Sequence, residues 1–162
     1  GGSAGGHLAA ATALVPGFDA QGDDTSISAI PDAMVLFNPA LNLTLVDRAI
    51  TDASGRSISD TISPTRFLKA NAPPAILFFG TADALAAHGT EYVAKARELG
   101  LTADLWLGPG QGHGFFNDSP WLEVCTERMD RFLTQLGYLT GESTVTLPDD
   151  APSLEQDIAI QP

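Results

Sequence analysis

The sequence has few basic residues, a single cysteine and no long apolar run. Its 162 residues include 8 Lys and Arg against 20 Asp and Glu, which gives a formal net charge of −12. This charge argues against nucleic acid and anionic membranes as partners, because both are themselves negatively charged. No apolar run approaches the roughly 18 residues that suggest a membrane-spanning helix. The lone cysteine, Cys125, excludes an internal disulfide, so cysteine usage does not indicate a redox compartment.

The residues that are present are those of a globular domain. Apolar residues make up 44% of the chain, and its 162 residues suit one domain with a sizeable core. The sequence has no initiator Met and no signal peptide, and its first residues already have the pattern of a tight turn into a helix. We therefore expect the C-terminal part of a longer chain, whose localisation is not readable from this end.

Residues 1–7, Gly-Gly-Ser-Ala-Gly-Gly-His, contain the pattern Gly-x-Ser-x-Gly with its serine at Ser3. This spacing is typical of a strand that turns sharply into a helix and holds the serine at the apex in a strained conformation. Side chains at positions 1 and 5 would collide across such a turn, and glycine has no Cβ to collide. Residues 8–14 are strong helix formers, so a helix follows and points its first N–H groups at the serine.

Three other interpretations of this glycine-rich stretch fit less well. A flexible Gly/Ser linker would not lead directly into a helix-forming segment. A dinucleotide-binding Gly-x-Gly-x-x-Gly loop needs a glycine where Ser3 stands. A phosphate-binding Walker loop needs Gly-Lys-Ser/Thr, whereas His7 follows Gly6 here. The pattern therefore favours a serine nucleophile over a nucleotide site.

Short apolar runs alternate with helical patterns along the chain. The runs at 33–37 and 75–79 predict strands buried on both faces, and 103–107 predicts a third strand, nearer an edge because it alternates more. Helices are predicted over residues 3–14, 63–70, 90–99 and 119–136. This alternation predicts an α/β fold, a parallel sheet of three strands with flanking helices and right-handed crossovers.

The remaining segments have less regular patterns. Residues 40–62 form an excursion of the kind that contributes to lids. We divide the chain into a domain over 1–139 and an acidic tail over 140–162, which is either disordered or an extended strap over the surface. Cys125 lies in the apolar stripe of the last helix, which predicts a packed core thiol rather than a nucleophile.

A serine hydroxyl needs a base within hydrogen-bond reach, and that base needs an acid to orient it. In a parallel α/β sheet such sites lie beyond the carboxyl ends of the strands. The loops expected at those ends hold Ser3, Asn38, Asp83 and residues 108–117. The base and the acid are therefore sought in these loops.

Of the three histidines, His113 is the best candidate for the base. It directly follows the third predicted strand and has a glycine on each side, which lets the backbone bend to aim the ring. His7 lies one helical turn beyond Ser3 and is expected to face away from it, in a packing or hydrogen-bonding role. His88 is expected in an Ala/Gly loop after the second strand, as a surface residue.

Asp83 is the best candidate for the acid, since it follows the second predicted strand at the same end of the sheet. An ordinary turn or capping aspartate is the alternative for this position. Asp104 lies in mid-strand and Asp118 lies close to a helix start, so both fit less well. The resulting chain order is serine, aspartate, histidine, which is the order of the α/β-hydrolases.

Four motifs together resemble the acetyl esterase/lipase branch of the α/β-hydrolases, which is similar to hormone-sensitive-lipase-like and bacterial carbohydrate-ester esterases. They are the serine motif at 1–7, Phe-Asn-Pro at 37–39, Phe-Gly-Thr-Ala-Asp at 79–83 and Gly-Gln-Gly-His-Gly-Phe-Phe at 110–116. The resemblance covers about residues 1–139. It implies the C-terminal part of an α/β-hydrolase domain that begins at the nucleophile elbow, with the earlier strands missing.

The resemblance implies a serine hydrolase that cleaves short acyl or acetyl esters, including carbohydrate esters, through an acyl-enzyme. In it Ser3 is the nucleophile, His113 the base and Asp83 the acid, and the backbone N–H of Ala4 is one oxyanion donor. It implies no metal and no cofactor. The partner is a small-molecule or carbohydrate ester, and the oligomeric state is left open.

The sequence departs from the resemblance at two places. Relatives often continue the aspartate motif with Val-Pro, where this chain has Ala-Leu-Ala-Ala at 84–87. The His-Gly-Gly-type loop that supplies further oxyanion donors precedes the elbow in relatives and is not in this sequence. We therefore expect these 162 residues alone to hydrolyse esters weakly or not at all.

Two alternatives stay open beside the esterase. A serine peptidase of the prolyl-oligopeptidase type shares the fold and the order of the three residues. A non-catalytic α/β-hydrolase relative would act as a binding module, although such relatives commonly lose one of the three residues, and Ser3, Asp83 and His113 are all present here.

Overall fold

The computed structural model describes residues 1–46 and 49–157. The helices are α1 (Ala4–Leu14), α2 (Ala86–Glu98) and α3 (Trp121–Gln135), and the strands are β1 (Met34–Phe37), β2 (Ala75–Gly80), β3 (Ala103–Gly108) and β4 (Glu155–Gln156). Short 3₁₀ turns cover Ser59–Ile62, Pro64–Phe67 and Phe115–Asn117.

The strands form one sheet in the order β1-β2-β3-β4. The first three are parallel, with Leu36 opposite Leu77 and Leu77 opposite Leu105. This confirms the predicted α/β fold with a parallel sheet and flanking helices. The parallel order brings the carboxyl ends of β1, β2 and β3 to one edge, which is where the candidate site lies.

Helices cover both faces of the central strand, β2, and every residue of it is buried. Leu77 and Phe79 pack on one face in a cluster with residues of α1 and α2, including Tyr92. Ile76 and Phe78 point to the other face and pack with residues of α3 such as Cys125. This two-sided burial explains why the strand has a continuous apolar run rather than an alternating one.

Two helices differ from the sequence prediction. The segment predicted as a helix over 63–70 forms only the 3₁₀ turn Pro64–Phe67. Helix α2 begins at Ala86, ahead of the predicted start at 90, because the Asp83 side chain accepts a hydrogen bond from Leu85 N–H at 2.8 Å and fixes the turn that leads into it. The earlier start places His88 inside the helix, where its exposed fraction is only 1%. The prediction of a surface histidine in a loop is therefore wrong.

The C-terminal tail adds a fourth strand, which the sequence did not predict. Its two residues pair antiparallel with Trp106 and Leu107 of β3. Residues 155–156 thus lie as an extended strap along the edge of the sheet, and they give β3 a neighbour on each side. Residues 158–162 of the tail and residues 47 and 48 of the 40–62 excursion lie outside the described residues.

Within the described ranges, the structure has no helix with the length and apolar character needed to cross a membrane.

Candidate active site

Three loops at the carboxyl edge of the sheet bring Ser3, His113 and Asp83 into one hydrogen-bonded chain, which we call the candidate triad. Ser3 Oγ lies 2.8 Å from His113 Nε2. The other ring nitrogen, Nδ1, lies 2.9 Å from Asp83 Oδ2. The convergence expected from the sequence is therefore observed. A hydroxyl, an imidazole and a carboxylate in this order can activate the hydroxyl as a nucleophile.

Ser3 stands at the tip of the turn into α1 in a conformation that L residues rarely adopt, with φ of 52° and ψ of −122°. Such a backbone costs on the order of 1–3 kcal/mol and persists only where its surroundings fix it. Ser3 N–H donates to Phe37 O at 2.8 Å, and Ser3 O accepts from His7 N–H at 2.9 Å. The strand end and the first helical turn therefore hold the serine at the apex from both sides.

The glycines around the serine have different roles from those predicted. A Cβ at Gly1 would come within 2.6 Å of Gly5 O, so position 1 does require glycine. A Cβ at Gly5 would meet nothing within 4 Å, so the predicted collision at position 5 is wrong. The crowded residue is Gly6, whose Cβ would lie 2.9 Å from Gly1 O and from Pro39 Cβ. Helix α1 thus turns Gly6, and not Gly5, toward the end of strand β1.

Asp83 is the buried member of the candidate triad, since its side chain is only 1% exposed. Its Oδ2 faces His113, and its Oδ1 accepts the Leu85 N–H. Both carboxylate oxygens therefore have partners, and the side chain is fixed before any substrate arrives. An aspartate held in this way orients the imidazole and stabilises its charged form.

The loop that carries His113 is pinned against the end of β2. Thr81 Oγ1 accepts from Gly110 N–H at 2.8 Å, and Ala82 N–H donates to Gln111 O at 2.9 Å. The two backbones approach so closely that a Cβ at Gly80 would lie 2.1 Å from Gln111 O. The His113 side chain keeps 44% of its surface exposed, so a substrate can reach the ring.

Asn38 contacts the same ring from the buried side, a role that sequence reasoning did not assign. It follows β1 with φ of 36° and is fully buried. Its Nδ2 lies 3.1 Å from His113 Nε2, and its Oδ1 accepts from Gly114 N–H at 3.1 Å. The sequence signals at this position were that Asn38 follows a predicted strand at the same edge of the sheet and lies in the Phe-Asn-Pro motif at 37–39.

The other two histidines make structural contacts. His7 Nδ1 lies 2.8 Å from Ala40 O, in agreement with the predicted hydrogen-bonding role away from the serine. His88 Nδ1 accepts hydrogen bonds from Leu41 N–H at 3.0 Å and Asn42 N–H at 3.2 Å. Burial lowers the pKa of His88 and outweighs the opposite effect of nearby carboxylates. His88 is therefore kept neutral as an acceptor.

Cys125 is a buried thiol with 1% of its surface exposed. Burial raises its pKa to about 12. Since the thiolate is the reactive form, this cysteine is not a nucleophile near neutral pH, and the predicted core role is confirmed.

The first residue of α1 offers a donor beside the serine. Ala4 begins the helix, and the first N–H groups of a helix have no acceptor one turn back. Among the described residues no group of three or more His, Cys, Asp or Glu side chains could hold a metal ion.

An open groove of about 660 Å³ runs along α1, lined among others by Leu8, Thr12, Phe18, Ile30 and Lys69. The described residues that line it do not include Ser3, Asp83 or His113. The candidate site is thus identified by its hydrogen bonds and not by this groove.

The chain is similar to several solved structures of an esterase. The chain is similar to the apo form of esterase 2 from Thermogutta terrifontis, with a TM-score of 0.77 and 33% identity over 88% of this chain and 56% of that one. The propionate-bound form, from the same Planctomycetes species, matches with a TM-score of 0.77 and 33% identity over 88% and 57%. The form phosphorylated by paraoxon matches with a TM-score of 0.77 and 34% identity over 88% and 54%.

The chain thus spans a little over half the length of the solved esterases that it matches. No protein-family model matches it, and no curated protein sequence does. The likeness shows an esterase-like α/β-hydrolase fold, in agreement with the fold expected from the sequence.

Proposed function

We propose that this chain carries the catalytic residues of a serine hydrolase that cleaves carboxylic esters. The observation that carries the proposal is the hydrogen-bonded chain from Ser3 Oγ through both nitrogens of His113 to the buried Asp83. The similarity to a solved esterase supports the reaction class.

In the first half of the proposed reaction, Ser3 Oγ attacks the ester carbonyl carbon while His113 Nε2 takes the hydroxyl proton. The tetrahedral intermediate then collapses, the carbon–oxygen bond to the alcohol breaks, and Nε2 gives its proton to the leaving oxygen. The products of this half are an acyl group on Ser3 and a free alcohol. Asp83 keeps the ring oriented through Nδ1 and stabilises the imidazolium.

In the second half a water molecule replaces the alcohol. His113 Nε2 takes a proton from the water as its oxygen attacks the acyl carbon, and then returns that proton to Ser3 Oγ as the carboxylic acid leaves. The exposure of the ring on one side gives water the access that this step needs.

We assign the backbone N–H of Ala4 to the oxyanion of both tetrahedral intermediates. It is the first N–H of α1, next to the attacking oxygen, and the positive end of the helix dipole favours negative charge there. Removing one such donor typically costs about 3 kcal/mol of transition-state stabilisation.

The proposed substrates are esters with short acyl groups, including acetyl esters of carbohydrates, as in the acetyl esterase/lipase branch. Solved structures of the T. terrifontis enzyme include a propionate-bound and a butyrate-bound form. Both are short carboxylic acids, the kind of product that a short-chain esterase releases.

Labelling of the full-length protein with paraoxon tests the nucleophile independently of the substrate, since the T. terrifontis enzyme is phosphorylated by that compound. We expect one diethylphosphoryl group on the peptide that contains Ser3, and none on the Ser3→Ala variant. The same samples are assayed with p-nitrophenyl acetate, p-nitrophenyl butyrate and a proline-containing chromogenic peptide.

Labelling elsewhere than Ser3, or no labelling at all, contradicts the assignment of the nucleophile. Labelling at Ser3 with cleavage of the peptide instead of the esters indicates the peptidase alternative. Binding of the esters without label or turnover indicates a binding module.

A further inference from the structure

The amide of Asn38 can be oriented from its contacts alone. Gly114 N–H is a donor, so the atom of the amide that faces it at 3.1 Å must be the oxygen. The atom that faces His113 Nε2 at 3.1 Å is then the NH₂ group, which can only donate. Nε2 must therefore be the ring nitrogen without a proton, and the ring proton sits on Nδ1, against Asp83.

Asn38 has little freedom to adopt another orientation. Its exposed fraction is 0%, and its backbone N–H donates to Phe78 O at 2.7 Å. Its φ of 36° lies in the left-handed region, where asparagine is one of the few residues without a large penalty. The end of β1 is thus bent so that the amide reaches the histidine loop from inside the molecule.

We propose that Asn38 is a positioning residue that holds His113 in the tautomer whose bare Nε2 faces Ser3. The proposal rests on the proposed function, in which Nε2 is the general base. The ring contacts Asp83 at Nδ1 and Ser3 Oγ at Nε2, and almost half of the side chain is exposed. Since Ser3 is the group that reacts, Asn38 supplies a contact at Nε2 from a residue that forms no bond with the substrate.

The same amide acts on the proton during the reaction. When Nε2 takes the proton of Ser3, the new Nε2–H faces the N–H of Asn38, and two donors cannot satisfy one another. The amide therefore does not stabilise the proton on Nε2, and this favours its transfer to the leaving alcohol oxygen. Among these residues around the ring, Asp83 is the one that carries a charge. Ser3, Asn38 and Gly114 lie on other elements and present neutral groups.

The Asn38→Asp variant tests this with a minimal change. The new carboxylate can still accept from Gly114 N–H, and aspartate also tolerates a left-handed backbone. The substitution replaces only the NH₂ donor that faces Nε2. The carboxylate oxygen in its place is an acceptor and therefore favours a proton on Nε2. We expect turnover at pH 7 to fall about 10²-fold. We also expect the acidic limb of the kcat/KM profile to move up by about 1 to 2 pH units, because an opposite charge lies beside the ring.

A second readout does not depend on hydrolysis. ¹⁵N spectra of the histidine rings at pH 7 distinguish a bare from a protonated nitrogen, and the His113→Gln variant identifies which signals belong to residue 113. We expect a bare Nε2 in the wild type and two protonated nitrogens in Asn38→Asp. Gln111→Glu is the matched control, because it makes the same amide-to-acid change in the loop that carries His113. Among the contacts described, the Gln111 side chain bonds only to Pro109 O. The spectrum and profile of this control should match the wild type.

An unchanged pH profile and a bare Nε2 in Asn38→Asp would mean that Asn38 only anchors the loop through Gly114, and would overturn the proposal. If that variant does not fold, Asn38→Gly decides, because glycine suits the positive φ. Without the opposing donor its ring should take up the second proton at a higher pH than in the wild type, and an unchanged titration overturns the proposal. If the full-length wild type does not hydrolyse esters, the proposed function fails while the spectra still decide the tautomer.

Discussion

The side chains of the candidate triad differ in how far water reaches them. Asp83 is almost fully enclosed, whereas the His113 ring keeps 44% of its surface exposed. The charge that orients the base is thus fixed inside the protein, and the base itself stays accessible to a substrate. This gradient from buried acid to exposed base is what a hydrolase of the proposed kind needs.

Substitution of these residues tests the roles assigned to them. In the full-length protein, Ser3→Ala and His113→Ala should each lower turnover of p-nitrophenyl acetate by at least about 10³-fold, because the nucleophile or its base is removed. Asp83→Asn should also cost heavily, since an amide can stabilise the wrong tautomer of the imidazole. Steady-state kinetics on each purified variant give the measurement.

The control for these variants is Ser143→Ala, which removes an exposed serine of the tail and should leave turnover unchanged. Near-normal turnover in any one of the three variants would show that the side chain concerned is not part of the machinery.

At the scale of elements, the site depends on how closely two loops approach. Gly80 ends β2 and lies against the backbone of the His113 loop, with no room for a Cβ beside Gln111 O. Because the obstacle is backbone and not a flexible side chain, a larger residue has to displace the loop. The position of the histidine is therefore set by a glycine in the neighbouring strand.

Gly80→Ala should move the histidine loop and lower both stability and activity. We expect a loss of about 1 to 3 kcal/mol in the free energy of unfolding, as in other overpacked sites. Urea unfolding and ester turnover measure the two effects. Gly112→Ala is the matched control, since a Cβ there meets nothing within 4 Å, and its stability should change by less than about 0.5 kcal/mol. Equal stability of the two variants would contradict the close approach.

Sequence reasoning succeeded for the elements whose signal is local. The continuous apolar runs identified β1 and β2, and the more alternating run at 103–107 identified β3. The position of Asp83 and His113 after β2 and β3 placed them at one edge of the sheet. Sequence reasoning failed where a feature depends on a contact between residues far apart in the chain. Strand β4 has no apolar pattern, since its two residues are Glu155 and Gln156, which pair antiparallel with β3. The contact of Asn38 with His113 joins residues far apart in the chain, so no local pattern could reveal it.

At the scale of the whole molecule, His88 links α2 to the segment that follows β1. Its ring accepts two backbone N–H groups of that segment, and Asn42 Nδ2 adds hydrogen bonds to Glu91 at 2.9 and 2.8 Å. Leu41, in the same segment, is fully buried. The excursion after β1 is therefore tied to the core through a neutral histidine.

This link makes stability depend on pH. Burial lowers the pKa of His88 below its ordinary value of about 6.5, so the unfolded chain binds a proton there more readily than the folded chain does. Stability should accordingly fall as pH falls through about 6.5 and below. Urea midpoints measured between pH 7.5 and pH 5 should show this decrease.

The His88→Asn variant isolates the contribution of the ring. An asparagine oxygen can accept from the same backbone N–H groups but takes up no proton in this range. Its urea midpoint should fall less between pH 7.5 and pH 5 than that of the wild type. Parallel curves for the two proteins would show that another group causes the dependence.

Asp83 serves two structures at once, since one oxygen orients His113 and the other receives the N–H that precedes α2. Under the proposed function, position 83 is under two selections, and only one of them concerns catalysis. An asparagine there could keep the helix start while it ends the reaction. A descendant that loses hydrolysis is therefore expected to drift first to asparagine at this position, and an unrelated residue there would indicate that the turn itself has been rebuilt.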